Sequence, residues 1–180
     1  MRISGPWIAR PETQGVCAVL VKAGHRALFV GGCVRNALLG AEVADVDIAT
    51  DALPETVMDL AARAGLRPVP TGIEHGTVTV VSGGLPHEVT TFRRDVQTDG
   101  RHAIVAFTDD VAADAARRDF TMNALYATPD GEVIDPLGGL VDLHARRLRF
   151  VGDPEARIAE DHLRILRFFR FHAWYGGNGL

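Results

Sequence analysis

The chain has 180 residues, 47% hydrophobic and 23% charged, with 19 basic against 23 acidic side chains and a formal net charge of −4. That balance belongs to a folded globular chain rather than a disordered one, and its acidic sum excludes a protein that grips nucleic acid over its whole surface. No stretch nears the ~20 continuous apolar residues of a membrane span, and the N-terminus lacks the apolar core of a secretory signal, so no membrane partner and a cytoplasmic location are expected.

Residues 12–23 carry apolar groups at helical spacing and predict a helix ending near Gly24. HRALFVGG reads as a buried strand closed by two glycines, and CVRNALLG as one or two helical turns stopped by Gly40. ADVDIAT alternates at period two, the mark of a half-buried strand. PETVMDLAARA places proline at a helical first position and an acid in the first turn, predicting a helix over 54–64. TVTVV and HEVTTF predict a strand pair joined by a Gly/Pro turn. RRDVQTDGRHAIVAFTDD is polar and turn-rich and reads as a mobile loop. DVAADAARRDFTMNALYAT starts helical and can turn to strand, and GEVIDPLGG reads as a short strand and turn. From Asp153 a single long helix is predicted, carrying Ile165, Leu166, Phe168, Phe169, Phe171, Trp174 and Tyr175. So many large apolar groups need a partner surface, which the sheet domain, further helices or another chain can supply, a truncated chain being the preferred reading. The order β-α-β-α-β-β followed by helices predicts an α/β sheet with a helical extension.

Composition narrows the chemistry. Cys17 and Cys33 have neither metal-ligand nor CxxC spacing, which excludes a disulfide scaffold. Lys22 is the single lysine beside 18 arginines, so a Walker-type phosphate loop is excluded. The histidines form no HExxH and no Cys/His cluster, and no serine lies in a GxSxG elbow.

Four clusters remain. Gly31 and Gly32 at a strand-to-helix turn leave backbone N–H groups open to a phosphate, and Arg35 one turn later adds a charged donor; the plain alternative is a tight connection. Asp45 and Asp47 project from one strand face, roughly 7 Å apart at Cα. Two such carboxylates repel unless a cation lies between them, and Mg²⁺ suits one or two carboxylates plus substrate phosphates; the alternative is two surface acids. Glu88 can bring a third carboxylate from a neighbouring strand and complete a two-metal site, or can simply face solvent. In RRDFTMN, Arg118 can meet a triphosphate while Asp119 and Asn123 meet a ribose or fix a turn; a solvated helix end explains them equally. Asp161 and Arg164, helical neighbours, can offer acceptor and donor to one base edge, with Arg167 and Arg170 continuing at three-residue steps. An ordinary ion pair worth ~0.2–0.5 kcal/mol is the alternative.

Singly these signals are modest, but their order and spacing, GGCVRNALLG-(x4)-DVD, HEVTTFRRD, RRDFTMNAL and EDHLRILRFFRF, resemble the class II tRNA nucleotidyltransferase and bacterial poly(A) polymerase family from about His25 to Tyr175. The resemblance implies an α/β (α+β) polymerase-β-like nucleotidyltransferase head with a small mixed sheet, followed by a helical neck. Residues 1–24 then form an N-terminal helix, 25–151 the head and 152–180 the start of a truncated neck. It implies metal-binding aspartates at Asp45 and Asp47, a third acid at Glu88, and nucleotide contacts at Gly31, Gly32, Arg35, Arg118, Asp119 and Asn123. Asp161 and Arg164 match the family's base-reading pair, and Arg167 and Arg170 its further nucleotide-binding arginines. The loop between Arg94 and Val111 is similar to a segment that moves as specificity changes. Mg²⁺ as cofactor, CTP and ATP as substrates and the tRNA 3′ end as partner follow from the resemblance. A poly(A) polymerase, an A- or CC-adding specialist and a nucleotide-binding remnant unable to extend RNA stay open. The family usually has aspartate where this chain has Asn36, an exchange that keeps a hydrogen bond and loses a charge.

Overall fold

The computed structural model describes residues 1–99 and 102–177, with side chains described outside 95–105. Seven strands form one mixed sheet: β1 (Leu28–Val30), β2 (Asp47–Thr50), β3 (Arg67–Gly72), β4 (Thr77–Ser82), β5 (Leu85–Thr91), β8 (Tyr126–Ala127) and β9 (Val133–Ile134), in the order β3-β4-β5-β2-β1-β8-β9. Strands β6 (Arg93–Asp99) and β7 (His102–Phe107) pair separately as a hairpin. The helices are α1 (Pro6–Ala9), α2 (Pro11–Lys22), α3 (Gly32–Leu38), α4 (Pro54–Arg63), α5 (Val111–Ala116), α6 (Gly139–His144), α7 (Pro154–Glu160) and α8 (Leu163–Tyr175). Within the sheet β2 and β5 run parallel while their other neighbours run antiparallel.

Alternation along the strands divides the sheet into two faces. Phe29, Ile48, Val78, Val80 and Val89 are buried in one cluster with Val16 and Leu20 of α2 and Val57 and Ala61 of α4. Leu28, Val30 and Ala49 point the other way and meet Phe92, Ala115 and Tyr126. Fully burying each such side chain contributes ~1.5–3 kcal/mol, enough to hold this register against a one-residue slip. The N-terminal helices belong to the first cluster, where the Trp7 ring meets Phe29 edge-on at 5.0 Å. Phe168 and Phe171 of α8 close it, packed around Phe120 and Phe150.

Local signals account for most boundaries. Helix α2 stops where predicted, with Gly24 at φ 87 and the His25 N–H returning to the Leu20 carbonyl, a glycine-terminated helix end. Helix α4 keeps Pro54 at its start and Glu55 in its first turn.

Other elements differ from expectation. The half-buried strand read from ADVDIAT begins only at Asp47, and Ile48, Ala49 and Thr50 are all buried because β2 is central and covered on both faces. Strand β3, RPVPTG, escapes pattern reading because its two prolines and exposed residues suit an edge. The segment read as a mobile loop contains the β6–β7 hairpin, in which the polar RRDVQTD carries no strand pattern and draws the apolar HAIVAF into the same loop reading; Gly100 and Arg101 lie outside the described residues. Helix α6 begins at the last glycine of GEVIDPLGG, directly after the strand and turn read there. The single long helix is two, because Asp161 adopts an extended backbone (φ −154, ψ 104) between α7 and α8. Its carboxylate accepts the Leu163 N–H at 2.9 Å and so starts a new helix where periodicity alone continues the old one. Among the described residues no helix is long and apolar enough to cross a membrane.

Candidate nucleotide and metal site

The acids converge through β2 and β5. Parallel pairing sets Asp47 opposite Glu88, and antiparallel pairing sets Thr79 of β4 opposite Glu88. Alternation then places both carboxylates on the sheet face turned away from α2, while the intervening Ile48 and Val89 are buried under it. Asp45 lies in the loop before β2, and with Val46, Asp47, Thr79, Pro86 and Glu88 it lines an open cleft of about 320 Å³. Burial, then Glu88, and to a smaller extent Asp45, push the Asp47 carboxyl up to about 6 even though Arg118 pulls it down. Crowded acids of this kind are relieved by a cation. Among the described residues no three His, Cys, Asp or Glu side chains form a metal cage by themselves. Two or three oxygen donors on one open cleft fit a hard divalent ion that fills its other positions with water and substrate oxygens.

The cations converge on the turn after β1. Gly31 caps α3 with φ 70, a conformation side-chain-bearing residues rarely adopt. A Cβ there would lie 3.6 Å from Arg118 Nη1, and one on Gly32 would lie 3.7 Å from Arg35 Nη2. Arg35 is only 6% exposed. Its Nε and Nη2 donate to Asn36 Oδ1 at 3.2 and 2.9 Å, Nη2 also reaches the Tyr175 hydroxyl at 2.9 Å, and Nη1 donates to Asn123 Oδ1. Its guanidinium also lies 4.2 Å from the Tyr175 ring centre and 5.0 Å from that of Phe171. Asn36 therefore orients Arg35 through an amide, and burial lowers the pKa of the guanidinium.

A hydrogen-bonded chain runs on from there. Asn123 Nδ2 donates to Asp119 Oδ1 at 3.0 Å, and Arg167 of α8 holds Asp119 Oδ2 through Nε at 2.7 Å and Nη2 at 2.6 Å. The Asp119 and Asn123 side chains thus fix the turn after α5 and dock α8. Arg170 remains exposed, and with Arg35, Phe171, Trp174 and Tyr175 it lines a cavity of about 270 Å³. Arg118 donates to Asp114 and Tyr126, while its charge still reaches Asp47. It therefore links the arginine cluster to the carboxylate cleft.

Asp161 and Arg164 do not form the expected helical pair. Arg164 donates to Glu160 at 2.7 Å and to the Arg157 carbonyl at 3.0 Å, while Asp161 lies in the break and caps α8. Glu160 also holds Arg157 at 2.6 Å. Sequence reading missed Asp114, Tyr126 and Tyr175. Asp114 stands four residues before Arg118, a spacing that signals an ion pair on a helix; Tyr175 is 140 positions from Arg35 and has no local signal.

Residues 27–149 match the family model described as the poly A polymerase head domain. The chain is 48% identical over 166 residues to a CCA-adding enzyme of Levilactobacillus brevis, covering 91% of this chain and 40% of that protein. It is 41% identical to the mitochondrial CCA tRNA nucleotidyltransferase 1 of Homo sapiens, covering 96% and 41%. A Bacillus stearothermophilus CCA-adding enzyme solved in complex with CTP superposes with a TM-score of 0.81 at 43% identity, over 91% of this chain and 39% of that one. A tRNA nucleotidyltransferase solved with a primer tRNA and an incoming ATP analog gives 0.70 at 35%, covering 87% and 44%. The chain therefore spans about two-fifths of the length of the curated relatives it matches.

Proposed function

The chain belongs to the tRNA nucleotidyltransferase and poly(A) polymerase family, and from that premise we propose that it is the catalytic head of an enzyme that adds CMP and AMP from CTP and ATP to tRNA 3′ ends. The observation that carries this reading is the Asp47–Glu88 register pair, beside Asp45 and within electrostatic reach of Arg118. Asp45 and Asp47 would hold Mg²⁺, with Glu88 as a third acid. When bound, the metal supplies Lewis-acid stabilisation to the attacking and leaving oxygens.

The residues of the chain do the positioning. The Gly31–Gly32 turn, Arg35 and Arg118 receive the triphosphate, so the negative charge that builds on it during attack by the 3′-hydroxyl meets fixed donors rather than reorganising water. Pyrophosphate leaves on that side. Arg164, once freed from Glu160, and Asp161 would read the base edge, because a site that must hydrogen-bond a base leaves polar groups unpaired with the wrong one. Arg167 and Arg170 flank the nucleotide from α8. The same reading divides the chain at 24 and 151 into an N-terminal helix, a head and the start of a neck.

The test uses the chain with Mg²⁺, labelled CTP or ATP, and tRNAs ending before, within and after CCA. Incorporation that stops after CCA is expected. Continued AMP addition would make it a poly(A) polymerase, and incorporation of one nucleotide alone a CC- or A-adding specialist. Binding of both nucleotides without extension would leave a nucleotide-binding head.

A further inference from the structure

Asp114 belongs to none of the motifs above, yet its side chain is among the most enclosed carboxylates of the fold, at 2% exposure. Burying a carboxylate is costly unless it is paired and hydrogen-bonded, and here three separate elements meet that need. The Tyr126 hydroxyl of β8 donates to it at 2.6 Å, Arg118 Nη2 at 3.0 Å, and the backbone N–H of Arg93, the first residue of β6, at 3.1 Å. Tyr126, itself fully buried, accepts from Arg118 Nε at 3.1 Å, and its ring centre lies 5.4 Å from the guanidinium carbon.

Two bonds on different nitrogens fix the plane of a guanidinium, because the fork is rigid. Here they occupy Nε and Nη2, and the plane they fix brings Nη1 to 3.6 Å from the position a Gly31 Cβ would take. We infer that Asp114 and Tyr126 are positioning residues that aim Arg118 at an anion seated on the Gly31–Gly32 turn, and that Asp114 ties this aim to the base of the β6–β7 hairpin through the Arg93 amide. The inference rests on the reading of Arg118 as a triphosphate contact. Because the Asp114 carboxylate offsets part of the arginine's charge, its contribution is direction rather than attraction.

The experiment is a double-mutant cycle on CTP binding, measured by calorimetry on the whole chain. Arg118→Ala is expected to weaken binding at least about tenfold. Tyr126→Phe, which keeps the ring and removes only the hydroxyl, is expected to weaken it about three- to tenfold. The double variant should bind no more weakly than Arg118→Ala alone. If Arg118→Ala leaves CTP affinity unchanged, the triphosphate reading of Arg118 fails. If that variant weakens binding while Tyr126→Phe does not, or if the Tyr126→Phe loss persists in full without Arg118, the positioning role is overturned and Tyr126 is a packing group. Asp114→Ala, which removes the acceptor, should in addition speed hydrogen exchange at the Arg93 amide; unchanged exchange in that variant, once shown to be folded, would remove the hairpin link.

Discussion

In the function proposed above the carboxylate cleft and the arginine turn serve one reaction, yet they are built in opposite ways. Asp45 and Glu88 are exposed, Asp47 is half-buried, and burial, followed by the charge of Glu88, raises the Asp47 carboxyl to about 6. Around the Gly31–Gly32 turn, by contrast, Arg35 and Arg118 are held in place by the hydrogen bonds they donate to Asn36, Asn123, Tyr175, Asp114 and Tyr126. The difference teaches that the cationic half is already organised, whereas the anionic half, in the proposed reading, would be completed by a cation. A mobile divalent ion can bring its own geometry, but an arginine must be held by its neighbours to face a phosphate without a reorganisation cost.

The strongest way to break this comparison is to remove an acid. Asp47→Ala or Asp45→Ala should lower labelled-CMP incorporation by about a thousandfold or more, since Lewis-acid stabilisation of the reacting phosphate is lost with the ion. Circular dichroism should stay unchanged. Full incorporation in either variant would detach the cleft from the chemistry. Removing the buried arginine should instead damage the fold: Arg35→Ala strands Asn36 and Asn123 and empties the site between two rings, and urea unfolding should show a loss of about 2–4 kcal/mol.

The pH dependence sharpens the contrast. The folded-state pKa of Asp47, about 6, lies above the ordinary carboxylate value of 3.8. Protonated Asp47 thus favours the native state, a contribution complete below 3.8 and lost as pH rises through 6. Metal-free chain should therefore lose stability, by roughly 2 kcal/mol from this group, between pH 4 and 7. Added Mg²⁺ should flatten the profile, and Asp47→Asn should make it insensitive to both; thermal melts across that range decide it. The smallest effect belongs to Arg170→Ala. This side chain is exposed, so stability should change by no more than about 0.5 kcal/mol while CTP affinity falls. A large stability loss would move Arg170 into the organised half.

Much of this was readable from local pattern. Hydrophobic alternation and the Pro54 and Gly24 signals located α2, α4, β1, β4 and β5, because burial and capping act on near neighbours in the chain. The acids of DVD and HEV were legible as a pair of candidate clusters for the same reason. Glu88 was legible too as a third acid from a neighbouring strand, but its register was not, because the match of Asp47 to Glu88 depends on a parallel pairing set by a crossover through α4, β3 and β4. The hairpin at 93–107 was missed because its first strand, RRDVQTD, is polar and shows no alternation, although the apolar HAIVAF of the second was there to read.

By itself, then, the sequence determined the family, the sheet core and the residue types that carry charge, since these depend on composition and short-range spacing. Only the tertiary structure decided their states. It gave Arg164 to Glu160, turned Asp161 into a helix start, bound Asp119 to Arg167, and joined Asp114 to Tyr126 and Arg35 to Tyr175. Each guanidinium has several donors and many acceptors within its reach, and which of them it finds depends on distances across the fold that no spacing along the chain encodes.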